Sequence, residues 1–260
     1  MGDFIMSSID FDCKSAGRTI VEKRLKAFAL ENSLEDIFYS YDINIDAPIS
    51  HAEEPRDLCK RFKKRKQVFF SSEKGRNYFK VMILDRLNTD SEFKSKFEKK
   101  LYKKDGANEC KCVYDKRRHK KNLLTKKHDN FGYEKKFELI IACSESKYFF
   151  ARFIIMTNDH NIDESYIVKK LKPSLLKLNK EIINYFKTLM NPICDYQHVK
   201  QNSLRVLECL AKGMNRDEIA DELYLTVRGV DYHIELLKSS LVANNIANLI
   251  YKACALNLLK

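Results

Sequence analysis

The chain lacks tryptophan, and it has only 7 glycines and 4 prolines among its 260 residues. Scarce glycine leaves few positions for phosphate-binding loops, because those loops need backbone conformations that other residues resist. The sequence also contains no G-x-S-x-G, P-loop, dinucleotide-binding or H-E-x-x-H pattern. We therefore predict that the chain has no catalytic residues, binds no cofactor and is not an enzyme.

Long apolar runs are also missing. The most apolar stretch, residues 148–156, is far shorter than a membrane-spanning helix and contains Arg152. The N-terminus has no charged-then-apolar leader, and Met6 stands where a myristoylation signal needs serine or threonine. The sequence therefore predicts a cytoplasmic protein without membrane association.

The cysteines do not have the spacing of a small disulfide-rich protein. They lie far apart, at Cys13, Cys59, Cys110, Cys112, Cys143, Cys194, Cys209 and Cys254. This spacing predicts reduced thiols in a cytosol. Cys110 and Cys112 could bind zinc together with His119 and His128, but the spacing matches no usual zinc finger. We therefore predict no metal site.

Positive charge is in excess. The net charge is +12, which favours an anionic partner such as nucleic acid. The excess lies in residues 60–128, the basic middle segment, which holds roughly 24 basic and 8 acidic side chains. Two interpretations of this segment remain open: it adds contacts to phosphates, or it is a solvated, lysine-rich surface.

The pattern of apolar residues predicts an α+β fold. Periodicity predicts one or two amphipathic helices over residues 18–41, interrupted near Asn32 and Ser33, after a frayed lead-in over residues 1–16. A β-hairpin is predicted over residues 137–156, with its turn at residues 144–147. The other predicted elements are an irregular connection at 42–57, a basic helix at 58–65, a strand at 67–70, helices at 78–87 and 93–102, a short strand and a loop within 110–127, and a helix over 163–189 bent at Pro173.

The most informative pattern lies over residues 215–237. Two short apolar stripes are separated by a turn, and the second stripe (Val230, Ile234 and Leu237) has helical spacing. Thr226 precedes this stripe and is a favourable N-cap, because its hydroxyl can accept from a free backbone N–H of the first turn. Two such helices match a helix-turn-helix, whose second helix enters the DNA major groove.

The residue identities over 199–260 resemble the LuxR-type (NarL-type) DNA-binding domain. The positions that match in order and spacing are Val206, Leu207, Leu210, Ala211, Gly213, Glu218, Ile219, Ala220, Leu223, Leu225, Thr226, Val230, Asp231, Tyr232, His233, Lys238, Leu241, Asn244, Ala253, Leu258 and Leu259. The chain departs from the family at Gly229, which is usually threonine, at Asn245, which is usually arginine, and at Asn257, which is usually glycine. Gly229 lacks the hydroxyl of threonine, and Asn245 lacks the guanidinium of arginine. The loss of these groups affects the expected DNA affinity and not the fold.

The resemblance implies two domains and a linker. Residues 1–190 would form an α/β sensor-like or partner-binding domain with an antiparallel sheet, and residues 191–198 a linker. Residues 199–260 would form an all-α, four-helix LuxR-type helix-turn-helix. The resemblance also implies a homodimer on double-stranded DNA and a small-molecule effector, which stays unknown because the family's pocket tryptophans are absent. The last helix would contact the second copy, or would only close the core, through Ile246, Leu249, Ile250, Ala253 and Leu256.

Four candidate DNA contacts lie on the second helix of the helix-turn-helix. When the apolar stripe points inward, the outward residues are Arg228, Asp231, Tyr232 and Glu235. The resemblance implies that Asp231, Tyr232 and Glu235 meet base edges, where an acid can accept from cytosine N4. Arg228 suits a guanine edge or a phosphate.

Phosphate contacts are the predicted role of Arg216, Lys238 and the Thr226 hydroxyl, which would position the domain without reading sequence. The alternative for all seven candidates is that they are only solvated. His233 is interpreted as a packing or capping residue.

We predict a DNA-binding transcriptional regulator of LuxR type that acts as a dimer. Two alternatives remain. The chain could use a degenerate helix-turn-helix against protein, or it could bind nucleic acid through the basic middle segment.

Overall fold

The fold is α+β and contains a five-stranded sheet. The computed structural model describes residues 6–44, 47, 49, 60–101, 110–117, 130–143, 146–186 and 190–259. The strands are β1 (Asp36–Ile43), β2 (Val68–Phe70), β3 (Cys110–Asp115), β4 (Lys135–Ala142) and β5 (Phe149–Thr157). They lie in the order β2-β1-β5-β4-β3, and all neighbours are antiparallel. The predicted fold class, the hairpin and the two short strands are therefore confirmed.

Helices cover the sheet and form the C-terminal part of the chain. They are α1 (Met6–Glu31), α2 (Glu73–Phe79), α3 (Arg86–Thr89), α4 (Ser91–Leu101), α5 (Glu164–Tyr166), α6 (Lys172–Tyr185), α7 (Pro192–Asp195), α8 (Gln201–Ala211), α9 (Arg216–Leu223), α10 (Val227–Ser240) and α11 (Ile246–Ala255). One π-helical stretch, Lys80–Asp85, joins α2 to α3, and another, Ile167–Leu171, joins α5 to α6. The three predicted helices after residue 77 are confirmed within the described residues. The predicted bend at Pro173 stays a prediction: Pro173 lies in the first turn of α6, directly after the second π-helical stretch.

The prediction for residues 1–41 was wrong in two places. α1 begins at Met6, so most of the expected frayed lead-in is helical. Ser33 then takes a left-handed conformation with φ 52°, and the chain leaves the helix near the predicted interruption. The residues predicted to continue as helix form β1 instead, and β1 is buried along nearly its whole length. Because both faces of β1 are covered, its apolar residues run together and resemble a helical pattern.

One face of the sheet packs against α1 and α6. Tyr39 of β1 and Phe153 of β5 are paired on this face, with ring centroids 4.9 Å apart. They share an apolar cluster with Leu25 of α1 and Leu175 of α6. The Tyr39 hydroxyl donates to Asn179 Oδ1 at 2.8 Å, so this core contains a satisfied polar pair.

The opposite face packs against α2. The ring centroid of Phe79 lies 5.2 Å from that of Phe38 on β1. Close approach of α2 to the sheet depends on Gly75, because a Cβ at that position would lie 3.0 Å from Asp36 Oδ1. Asp36 is buried and accepts a hydrogen bond from the Ser71 hydroxyl at 2.7 Å.

The C-terminal part is the predicted four-helix unit. Its helices α8, α9 and α10 enclose a small core that includes Val206, Ile219, Val230 and Ile234. α11 adds Leu249 to the larger apolar cluster of the chain. The segment before this unit is not extended, because residues 192–195 form α7.

Some predictions concern positions outside the described residues. These are the histidines of the hypothetical zinc site (His119 and His128), the hairpin turn at residues 144–145, residues 58–59 of the basic helix, and most of the irregular connection and of the loop within 110–127. In the ranges that the structure describes, no three His, Cys, Asp or Glu side chains are grouped to hold a metal. No helix in those ranges is both long and apolar enough to cross a membrane.

Candidate nucleic-acid interface

The first helix of the helix-turn-helix, α9, begins with a capping box. The Glu218 backbone N–H donates to Asn215 Oδ1 at 3.0 Å, and the Asn215 backbone N–H donates to Glu218 Oε2 at 2.7 Å. The two residues thus satisfy each other's free donors at the helix start. Ile219 and Ala220 are buried on the inner side of α9. The sequence Asn-x-x-Glu before an apolar pair accounts for this local structure.

The turn between α9 and α10 is tight and left-handed. Tyr224 has φ 53° and ψ 44°, and the Leu225 backbone N–H donates to the Ala220 carbonyl at 2.8 Å. This is the hydrogen bond of a Schellman-type helix end, which usually has glycine at the left-handed position. The Tyr224 side chain is 95% exposed, so it does not fill the core. A non-glycine residue here costs about 1 kcal/mol relative to a relaxed conformation.

Thr226 caps the second helix, as predicted. The Gly229 backbone N–H donates to Thr226 Oγ1 at 3.0 Å. Gly229 lies in the first turn of α10, and a Cβ there would approach Thr226 Oγ1 to 3.3 Å. The capping bond uses the Thr226 oxygen as an acceptor, so its hydroxyl proton stays available for a phosphate oxygen.

The orientation of α10 agrees with the prediction. Val230, Ile234 and Leu237 are buried, so the inward stripe is confirmed. Tyr232 lies on the opposite side and is 59% exposed. Arg228 is exposed, and it makes no ion pair with any residue that the structure describes. The outer side of α10 is therefore open to a partner.

Two of the predicted cations are paired with two of the predicted acids. Arg216 Nε lies 2.5 Å from Asp231 Oδ1, with both side chains about half exposed. Lys238 Nζ lies 2.9 Å from Glu235 Oε1. The first pair connects the start of α9 to α10, and the second lies within α10. Sequence spacing alone did not reveal the Arg216–Asp231 pair, because its residues are 15 positions apart on different helices.

His233 lies between α8 and α10. Its Nδ1 is 3.0 Å from the Ser203 hydroxyl oxygen, and Ser203 is buried. This contact joins two helices of the small core and agrees with the interpretation of His233 as a packing residue.

The solvent side of α9 is mainly acidic, although Arg216 at its start is also exposed. Asp217, Asp221 and Glu222 are exposed there. Residues 215–240 hold 6 acidic side chains, which include Asp231 and Glu235, against 3 lysines and arginines. Acids facing phosphates repel them, so this surface weakens non-specific attraction to DNA.

The basic middle segment is not uniformly a solvated surface. The side chain of Arg65 is only 1% exposed, and its guanidinium donates from Nε to Asp195 Oδ2 at 2.8 Å. Arg61 donates to the Gln197 carbonyl at 2.8 Å. These two arginines are therefore bound to the segment before the helix-turn-helix and are not free for phosphates. Nothing in the sequence distinguishes Arg65 from its basic neighbours, because its partner is 130 residues away.

A half-open groove of about 300 Å³ lies between the end of β4 and α6. Its lining is mainly apolar and includes Cys143, Leu176 and Ile183, with Lys180 at the same site. The Tyr41 hydroxyl lies 2.8 Å from Cys143 Sγ at the edge of this region. The volume is at the lower limit of ordinary small-molecule sites.

Fold and interface together define a sheet-containing protein that ends in an exposed helix-turn-helix. No family model matches the chain, and no curated protein matches it. Among solved structures, the chain is similar to "SdiA in complex with octanoyl-rac-glycerol", with a TM-score of 0.42, 13% identity, and coverage of 98% of this chain and 97% of that chain. It is also similar to Escherichia coli SdiA in the space group P6522, with a TM-score of 0.37, 13% identity, and coverage of 93% of this chain and 91% of that chain. Because the TM-scores and identities are low, the function proposed below rests on the geometry of this chain itself.

Proposed function

We propose that the chain is a DNA-binding transcriptional regulator of LuxR type, which inserts α10 into the major groove as a dimer. In this proposal residues 199–260 are the DNA-binding domain, residues 191–198 the linker, and residues 1–190 a domain that senses an effector or a partner. The protein acts in the cytoplasm and catalyses no reaction. The Thr226-capped α10, with its apolar stripe buried and its outer side exposed, carries the proposal.

The geometry of α10 supports direct contact with base edges. A recognition helix reads DNA with residues of its first turns, and Arg228, Asp231 and Tyr232 lie there. Arg228 is the cation best placed to bind DNA, because Arg216 and Lys238 already have acidic partners. An arginine can donate two hydrogen bonds to a guanine edge, which supports a role in sequence recognition.

The two ion pairs affect how phosphates are bound. Arg216 has to leave or share Asp231 before it binds a phosphate, and Lys238 has the same competition with Glu235. Exposed pairs of this kind are weak, about 0.2–1 kcal/mol, so a phosphate can displace the acid. We therefore expect modest DNA affinity with a shallow salt dependence for the helix-turn-helix.

A second candidate function is a protein-interaction module that retains the helix-turn-helix. The exposed acids of α9 favour it, since Asp217, Asp221 and Glu222 would attract a basic protein surface and repel DNA. Exposed Tyr224 and Tyr232 would supply aromatic contact area to such a partner.

Gel-shift titration of the full chain against a pool of random duplexes, over a salt series, distinguishes the two functions. The full chain is the appropriate material, because Asp195 and Tyr196 of the linker are buried against other parts of the protein. The main proposal predicts enrichment of one sequence class. Absence of DNA binding at low salt would contradict it and favour the protein-interaction function.

Arg228→Ala tests the proposed base contact. We expect specific binding to weaken by about 1–3 kcal/mol, with relaxed preference at one base pair. Lys26→Ala is the control, since Lys26 is an exposed cation on α1, away from the candidate interface. Unchanged binding of the Arg228 variant to the enriched sequence would remove this residue from the set of contacts.

A further inference from the structure

A buried ionic cluster connects the sheet to the linker. It consists of Asp42 on β1, Arg65 in the basic middle segment and Asp195 at the end of α7. Arg65 donates from Nη1 to Asp42 and from Nε to Asp195, and the three side chains are 6%, 1% and 2% exposed for Asp42, Arg65 and Asp195 respectively. One guanidinium thus pairs with two carboxylates that lie far apart in the chain.

Arg65 and Asp195 have further partners besides each other. The Arg65 guanidinium lies 4.4 Å from the Tyr196 ring centroid, and its Nη2 donates to the Tyr41 carbonyl at 2.8 Å. The other oxygen of Asp195 accepts from the backbone N–H groups of Lys66 and Gln67, at 2.8 and 2.9 Å. Each charge therefore has several partners, as a buried ion needs.

The sheet side of the cluster extends across the neighbouring strands. Arg152 of β5 donates from Nε to Asp42 Oδ2 at 2.9 Å, and its Nη1 donates to Glu138 of β4. Burial alone would raise the pKa of Asp42, but Arg65 and Arg152 more than offset this and hold the pKa below its ordinary value. Asp42 is therefore a charged anchor that two arginines share.

The linker is also bound to the end of the four-helix unit. Asn191 Nδ2 donates to the carbonyls of Leu256 and Asn257, at 2.9 and 3.0 Å. Ile193 is fully buried in the same apolar cluster as Leu256. The linker thus binds the end of the four-helix unit on one side and the ionic cluster on the other.

We propose that the Asp42–Arg65–Asp195 cluster fixes the orientation of the four-helix unit relative to the sheet, so that the linker acts as a rigid connection. The buried charges define one geometry, which an apolar contact would not, since a displaced linker would separate Asp195 from Arg65 and from the Lys66 and Gln67 N–H groups. If the function proposed above holds, this orientation also sets the separation of the two α10 helices in a dimer, and with it the spacing of the DNA half-sites.

Distance measurement by double electron–electron resonance tests the proposal without DNA. Spin labels are attached through an unnatural amino acid at Leu30 of α1 and Tyr251 of α11, which are both 71% exposed, so the native cysteines stay in place. Dilution with unlabelled chain restricts the signal to distances within one molecule. We expect a single narrow distance distribution for the native chain.

The decisive variants are Asp195→Asn and Arg65→Met. Asparagine keeps the shape and an oxygen for Lys66 and Gln67 but loses the charge that attracts Arg65, so we expect a broadened distribution with an unchanged circular dichroism spectrum. Lys64→Ala is the matched control, because Lys64 is exposed and next to Arg65 in the chain.

A distribution as narrow in both variants as in the native chain would overturn the proposal, and so would a broad distribution in the native chain. If Arg65→Met does not fold, the Asp195→Asn result decides. Because no DNA is present, either outcome leaves the proposed DNA-binding function to its own test.

Discussion

Replacing Asp231 with asparagine is the most informative perturbation of the candidate interface. Asp231 binds Arg216 at 2.5 Å, and both side chains are about half exposed. The substitution keeps the size of the side chain, removes a negative charge from α10 and releases the guanidinium. We expect the affinity for DNA to rise, because a released Arg216 can bind a phosphate.

The substitution should change the stability of the protein only slightly and its DNA binding in a way that depends on salt. An exposed ion pair contributes about 0.2–1 kcal/mol, so the free energy of unfolding should fall by no more than that. On DNA, one additional phosphate contact makes the negative slope of log K against log salt steeper by about 0.9. The gain in affinity should therefore be largest at low salt and should shrink as salt is added.

Fluorescence anisotropy of the full chain on one duplex, measured over a salt series, gives both the affinity and the slope. Asp217→Asn is the matched control: Asp217 is exposed on α9 and has no ion pair among the residues that the structure describes, so its loss releases no cation. An unchanged slope in the Asp231 variant would show that the released Arg216 does not bind a phosphate. A loss of affinity for one base pair only would show instead that Asp231 accepts from a base.

Three further predictions concern stability. Thr226→Ala should lower the free energy of unfolding by about 1 kcal/mol in urea titrations, because the Gly229 N–H loses its acceptor. Thr226→Ser should keep most of this stability, because its hydroxyl can accept the same hydrogen bond. Gly75→Ala should destabilise by about 1–3 kcal/mol, because the new Cβ would press on Asp36; a neutral effect in the same titration would show that α2 can move away. Since the folded pKa of Asp42 is lowered, its contribution should be complete above its unfolded pKa of about 3.9 and should be lost as the pH falls through the folded value. Urea titrations at several pH values should show this acid-induced loss in the native chain and a smaller one in Asp42→Asn.

The helix-turn-helix was predictable because its determinants are local. Asn215 and Thr226 cap helices within their own first turns, and the stripe from Val230 to Leu237 repeats with the helical period. Each of these signals lies within a few residues of the structure that it specifies. DNA contact by the outer residues stays a prediction, since it depends on a partner and not on the fold.

Other features depend on contacts that the local sequence does not encode. β1 was expected to be helical, because a strand covered on both faces loses the alternation that marks a half-exposed strand. The sequence predicts a solvated or phosphate-binding role for the basic run that contains Arg65, although Arg65 is buried between Asp42 and Asp195. These residues lie far apart in the sequence, and only the packing of the linker against the sheet brings them together.

Site-specific photo-crosslinking tests whether α10 enters the major groove. A photoreactive phenylalanine analogue replaces Tyr232 on the outer side of α10 or, as the control, Tyr251 on α11 in the full chain. We expect the probe at position 232 to crosslink to bases of the enriched duplex, and the probe at position 251 not to. A probe at position 232 that forms crosslinks only to protein, with the duplex present in excess, would contradict insertion of α10 into the major groove.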